Sequence, residues 1–337
     1  MKSLIYDKIR LGVAVLLYLC ATSWADAKVK LPALISDGMV LQREQSVKVW
    51  GTADAGENIT IEFQKKSYHA TADANGQWSI TLPPLKAGGP FLMQINDIKL
   101  NDILVGDVWL CSGQSNMELP VKRVMDMFSN EILNYNNEKI RHILSLKSGK
   151  NNITVRIISN GGQPGFVQEK PYKIICDNEE INLKQKWKYR LGAPMPPAPE
   201  MMFFWYKPVC LYNAMIAPLQ NYSIRGVLWY QGESNVSRRN EYVALLSAMI
   251  ADWRRTFNQP GLPFHIVELA DFLSKDNIEG RKAWAEMRQE QAKAAAFNSN
   301  TYLIRNSDLG EWNDIHPLDK KTLGKRAAES VLNSTKQ

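Results

Sequence analysis

The sequence predicts an α/β protein whose parallel sheet is flanked by helices, with a small β-sandwich ahead of it. Three observations carry this reading. Residues 28–100 hold short alternating apolar segments separated by turn signals. From residue 101 apolar runs alternate with amphipathic stretches, the rhythm of strand–helix units. Between residues 144 and 192 that rhythm gives way to strand-like segments with Gly, Asn and Pro turns.

Residues 1–27 have the order of a secretory signal peptide. Lys2, Lys8 and Arg10 are followed by an apolar core over residues 11–20 and the small-residue site Ala25-Asp26-Ala27. The apolar run is too short to cross a bilayer, and no later stretch approaches the needed length. Export without a membrane anchor is the expectation. In residues 28–100, strands are expected at 46–50, 59–63 and 78–82, with turns at Asp54-Ala55-Gly56 and Ala74-Asn75-Gly76.

The next expected units are a strand at 105–112, a helix over 117–135, a strand at 224–231 and a helix over 241–257. Then come a strand at 264–269, a helix over 283–296, a strand at 302–305 and a closing helix over 318–332. Strands alternating with helices imply a parallel sheet covered on both faces. The intervening segment has strand-like runs at 152–159, 172–176 and 187–191, and residues 193–199 form a proline-rich connector.

Composition narrows the function classes. The 337 residues are 45% hydrophobic and 22% charged, ordinary for a globular chain with a sizeable core. A net charge of +7 without a long basic block argues against nucleic-acid binding, and it suits an anionic sugar without requiring one. Of the four cysteines, Cys20 falls in the leader, and Cys111, Cys176 and Cys210 allow one bridge at most. Cys111 lies inside a strand and reads as a small buried hydrophobe. His69, His142, His265 and His316 are isolated in sequence, so neither a metal site nor an organic cofactor is expected.

Three segments carry chemistry. An apolar run ending at Cys111 opens into Gly113-Gln114-Ser115-Asn116-Met117, which reads as a strand-to-helix turn lifting a hydroxyl off the sheet. Ser115-Asn116-Met117-Glu118 equally fits a capping box, so both roles stand for Ser115 at this point. Trp229-Tyr230-Gln231-Gly232-Glu233-Ser234-Asn235 repeats the pattern of an apolar strand breaking at glycine. Asn313-Asp314-Ile315-His316-Pro317 places an imidazole in a loop before a helix, with Pro317 suited to its first position. Each segment sets polar groups at the edge where open α/β sheets bind ligands.

Together with Leu191-Gly192-Ala193-Pro194 and Leu211-Tyr212-Asn213-Ala214, these motifs resemble the sialate O-acetylesterase family of SGNH-type carbohydrate esterases. The resemblance implies an SGNH-hydrolase-like domain in two parts, 101–143 and 193–337. It also implies a β-sandwich at 28–100 and a partial inserted β domain at 144–192. In that family a second strand, ending in a glycine block that supplies an oxyanion donor, comes before the inserted domain. Here that portion is missing, with the junction near residues 143–147. Ser159-Asn160-Gly161-Gly162 is a hairpin or loop turn rather than that block.

The resemblance further implies an O-acetylated glycan substrate, most directly an acetylated sialic acid. An acetyl-xylan or other glycan esterase, and an inactive glycan-binding relative, are the alternatives. Ser115 would be the nucleophile and His316 the base. Asp314 would orient the imidazole, although it lies two residues before the histidine where such hydrolases place the group three before, the position held by Asn313. Asp314 could instead cap the following helix, with an Asn313 oxygen holding the tautomer. Gln231, preferred over Asn235, would add a side-chain donor to the Ser115 N–H. Gln114 and Glu233 complete the substrate-side set, Glu233 reading more readily as a carboxylate behind the site. Trp109 and Trp229 read as core, and Tyr230 as a ring able to stack on a sugar.

Overall fold

The computed structural model describes residues 29–124, 173–176, 179–184 and 207–335. The chain divides into two compact units, Met1–Ile140 with Tyr212–Gln337, and Arg141–Leu211. The leader at 1–27, the junction at 143–147, the runs at 152–159 and 187–191, the turn at 159–164 and the connector at 193–199 lie outside the described residues.

The first unit opens with short strands: β1 (Val40–Gln42), β2 (Val47–Thr52), β3 (Asn58–Phe63), β4 (Lys66–Thr71), β5 (Gln77–Leu82), β6 (Gly88–Ile95) and β7 (Ile98–Gly106). Strands β1-β7-β6-β3-β4 form one sheet and β2-β5 a second. Their alternation is the sequence pattern made physical: Trp78, Ile80 and Leu82 of β5 are buried while Gln77, Ser79 and Thr81 face out. Buried residues from both sheets, among them Val49, Ile61, Ile80 and Ile103, share one core. The expected turns close at Gly56 and Gly76.

The strand expected at 105–112 is two strands. Val105 and Gly106 are the last residues of β7 in the N-terminal sheet, and β8 (Trp109–Gly113) begins a different sheet. The chain changes sheet at Asp107, whose carboxylate is gripped by Arg43 Nε and Nη2 at 2.9 and 3.0 Å. Gln42 Oε1 accepts the Val108 N–H at 2.8 Å. An apolar run cannot reveal such a handover, because the residues on either side of Asp107 have the same strand-like composition. The expected end of the β region at residue 100 therefore falls inside β7.

After β8 come a single helical turn α1 (Ser115–Glu118), and in the second unit the hairpin β9 (Lys173–Cys176) and β10 (Glu179–Asn182). The first unit resumes with β11 (Gly226–Tyr230), α2 (Tyr242–Thr256), β12 (Phe264–Val267), α3 (Ile278–Phe297), β13 (Thr301–Ile304) and α4 (Lys320–Ser334). Strands β13-β12-β11-β8 pair in parallel throughout. β12 is buried along its whole length, as expected of a strand in the middle of such a sheet. Helical residues such as Ile250, Trp253, Met287 and Ala294 join its core.

Two expectations fail locally. The helix expected from residue 117 is interrupted after Glu118, because Leu119 precedes Pro120 and turns extended at ψ 116°, and a short 3-10 turn, Val121–Arg123, follows; residues 125–135 of that expectation lie outside the described residues. Cys111 is exposed rather than buried, because β8 is the edge strand of the four.

His265 sits in β12, wholly buried, stacked on Tyr302 at 5.0 Å with Nδ1 2.8 Å from Ser330 Oγ. Burial pushes its imidazole from the usual 6.5 down to about 4. The folded state resists protonation that the unfolded state accepts, so this term is complete above pH 6.5 and is lost as pH falls toward 4. Its full size is roughly 3 kcal/mol. Thermal melts across that range should show the parent losing stability more steeply than His265→Gln, and equal slopes would contradict this.

Candidate active site

The site is assembled by register. β8 and β11 pair so that Gly113 lies opposite Tyr230, and the two polar segments therefore leave the sheet side by side at its carboxyl edge. The Gln114 N–H extends the ladder by donating to the Tyr230 carbonyl at 2.9 Å. Gly113 makes this close approach with φ at 147°, and a Cβ there would lie 2.0 Å from the Tyr230 oxygen. Only glycine fits.

Ser115 is the first residue of the α1 turn, not its cap. Gln114 holds the cap position, and it makes no side-chain cap bond. The capping-box reading is thereby removed, because the Ser115 hydroxyl is spent elsewhere. Its Oγ lies 2.8 Å from His316 Nε2, across 201 residues of sequence. Ser115 is exposed and His316 partly buried, so the pair is open to solvent on one side.

The loop carrying His316 is seated by Gly310, where a Cβ would come within 2.0 Å of the Asp271 carbonyl. The Leu273 N–H also donates to the Trp312 carbonyl at 3.0 Å. Asp314 Oδ1 accepts the His316 backbone N–H at 2.8 Å and stands 3.4 Å from its Nδ1. Asp314 Oδ2 is met by Arg123 Nη2 at 3.3 Å. Asp314 is not the helix cap. Asp319 is, accepting the Thr322 N–H, so α4 starts three residues beyond Pro317 and the expected Pro317 start is corrected. Among the described residues no hydrogen bond joins Asn313 to His316.

The remaining site residues divide into two groups. Gln114 faces its neighbour turn: Nε2 donates to Ser234 Oγ at 2.6 Å, and Oε1 accepts from the Gly232 and Ser234 N–H groups at 3.2 and 3.4 Å. It clamps the two motifs together. Gln231 Nε2 donates to Asn235 Oδ1 at 2.7 Å, so these candidate oxyanion donors form a pair. Glu233 Oε1 accepts from Asn116 Nδ2 at 2.8 Å, while its buried Oε2 has no hydrogen-bond partner among the described residues.

Tyr230 is not a stacking platform. It is 1% exposed, and its hydroxyl accepts from Asn306 Nδ2 at 2.8 Å, so no sugar reaches the ring. Trp229 packs edge-on to Trp253 at 5.8 Å, as a core residue does. Trp109, only partly buried, lines a cleft of about 410 Å³ with Arg225, Pro263 and Asn300 at the amino ends of the strands, away from Ser115. Chemistry rather than cavity size picks out the site.

Sequence reasoning missed three contributors: Asn116, Arg123 and Lys320. Asn116 has no signal beyond standing after the serine, and Arg123 falls within the helix expected from residue 117, where the chain instead makes a 3-10 turn. Lys320 had a readable signal, since a cation in the first turn of a helix opposes the macrodipole. No cluster of metal-ligating side chains occurs among the described residues, and no described helix is long and apolar enough to cross a membrane.

Residues 199–333 match the family described as carbohydrate esterase, sialic acid-specific acetylesterase. The sialate O-acetylesterase of Homo sapiens is 27% identical over 383 residues, covering 94% of this chain and 73% of that protein. That of Mus musculus is 25% identical over 419 residues, covering 94% and 75%. The human span of 383 residues exceeds the 337 of this whole chain, so the relative carries residues within it that this chain lacks. A solved carbohydrate acetylesterase from Xanthomonas citri is 27% identical, with a TM-score of 0.63 over 91% of this chain and 76% of that one. With the three motifs gathered at one sheet edge, the chain is similar in sequence and fold to carbohydrate esterases described as sialic acid-specific acetylesterases.

Proposed function

We propose that this chain is a serine esterase removing O-acetyl groups from carbohydrates, with acetylated sialic acids as the substrate. The observation that carries the proposal is the 2.8 Å contact between Ser115 Oγ and His316 Nε2. In this reading Ser115 Oγ attacks the acetyl carbonyl carbon while His316 Nε2 takes its proton. The imidazolium then returns that proton to the departing sugar oxygen, leaving acetyl-Ser115. Water, deprotonated by His316, attacks the acetyl carbon, and acetate leaves as the serine recovers its proton.

Asp314 is the orienting group, favoured over Asn313 by its 3.4 Å approach to Nδ1. The 3.4 Å gap is longer than an ordinary hydrogen bond, and tightening when substrate binds is common at such sites. The Ser115 N–H and an amide N–H of the Gln231–Asn235 pair are the oxyanion donors. The Tyr230–Gly113 register supports this, because it starts both segments at one edge. Gln114 and Glu233 act behind the site, through the bonds each makes. The N-terminal β region is read as a sandwich that packs beside the esterase domain, and residues 1–27 as an export signal.

Acetate release from O-acetylated sialic acid and from acetyl-xylan, measured side by side, tests the reading. Preference for the sialic acid supports it. Preference for the xylan moves the substrate to plant glycans, and glycan binding without acetate release replaces the esterase with a binding protein.

A further inference from the structure

Asn116 is a buried amide whose every polar function is committed. Its Nδ2 donates to Glu233 Oε1 at 2.8 Å and to the Ile315 carbonyl at 3.0 Å, and its Oδ1 accepts from Lys320 Nζ at 2.8 Å. The amide can point only one way: an ammonium only donates, and a carboxylate and a carbonyl here only accept. One side chain thus ties the turn bearing Ser115, the segment after β11, the residue preceding His316 and the start of α4. Lys320 is the cation of this cluster, with Nζ 5.0 Å from the centre of the Tyr230 ring. Its place in the first turn of α4, against the helix macrodipole, is explained by no local preference.

We infer that Lys320 is a positioning residue for the esterase reaction, acting through Asn116 to hold the Ser115 turn and the His316 loop at hydrogen-bonding distance. This deepens the proposed function and rests on it. The charged groups around the ammonium are Glu233 and Asp314, which favour its charge, and Arg123, which opposes it. Burial outweighs the two carboxylates and brings the amine down to about 8. Protonated Lys320 cannot accept a hydrogen bond, so it enforces the Asn116 orientation. Neutral Lys320 carries a lone pair and loses both the ring contact and the charge-assisted bond. The bridge therefore holds below the amine's titration and slackens above it.

Hydrolysis of 4-nitrophenyl acetate, corrected for the uncatalysed rate, tests this across pH 6 to 10 with the parent, Ser115→Ala, Lys320→Met, Lys320→Arg and Asn116→Ala. The expected result has four parts. Lys320→Met lowers kcat by about 10- to 100-fold with KM within about threefold, as for loss of positioning rather than of binding. Combining it with Asn116→Ala adds little further, because both remove one bridge. The parent's kcat/KM falls as pH rises past about 8. Lys320→Arg, which keeps its charge at every pH used, moves that fall upward by at least one pH unit.

Parent-like kcat in Lys320→Met, or an alkaline limb identical in parent and Lys320→Arg, overturns the inference. The second comparison does so even where the methionine variant does not fold. Parent-like activity in Ser115→Ala would instead overturn the esterase site itself, so the two failures are distinct.

Discussion

Ser115→Ala is expected to lower kcat on acetyl esters by about 10⁴- to 10⁶-fold while leaving the fold intact. The variant deletes one exposed oxygen at the mouth of the sheet, whose hydrogen-bond partner among the described residues is the His316 ring. Loss of an exposed hydroxyl opens no cavity, so a melt of the purified variant should match the parent within a few degrees. The cost is chemical: without Oγ the acetyl group has no acceptor on the protein, and the remaining donors can only assist direct attack by water. Steady-state hydrolysis of a chromogenic acetate is the measurement. Activity within tenfold of the parent would show that another residue accepts the acetyl group.

His316→Ala should cost nearly as much, about 10⁴-fold or more in kcat, and the two losses should not add. Nucleophile and base act on one proton; once either is gone the other has nothing to exchange it with. The double variant is therefore expected to match the Ser115→Ala variant. Two losses that multiply would mean that His316 serves a separate step. His316 also shapes its loop, because its backbone N–H is held by Asp314 Oδ1 at 2.8 Å. That bond belongs to the main chain and survives truncation, so the alanine variant tests the ring alone.

The resemblance implies an oxyanion hole that takes a donor from a glycine block, and the sequence reading expects that block to be missing near residues 143–147. Losing one such donor can cost about 10²- to 10³-fold in rate. The fold-losses expected for Ser115→Ala and His316→Ala are relative to the parent chain and hold at whatever absolute rate it reaches. In the proposed mechanism the Gln231–Asn235 pair would offset that loss.

The amino-acid order by itself determined most of the strands and the later helices. Period-two alternation in residues 77–82 and the apolar run at 264–267 can bury their side chains only as half-buried and fully buried strands. The motif glycines mark sharp turns, and Gly113 shows why: any side chain there would strike the next strand. Ser115, His316 and Asp314 stand out as a set only through the resemblance of their motifs to the esterase family, with Asn313 still an alternative to Asp314.

What the linear order could not decide was which polar atoms face one another. Ser115 as cap and Ser115 as partner of His316 have the same local sequence, and they are separated by a contact spanning 201 residues. Gln114 looked like a substrate contact until the β8–β11 register set it against Ser234, and Tyr230 looked like a sugar platform until burial enclosed it. Asn116 and Lys320 gain their importance wholly from elements brought together by folding. The physical reason is range: helix and strand preferences act over a few residues, whereas hydrogen-bond partners are chosen by the packing of the whole sheet.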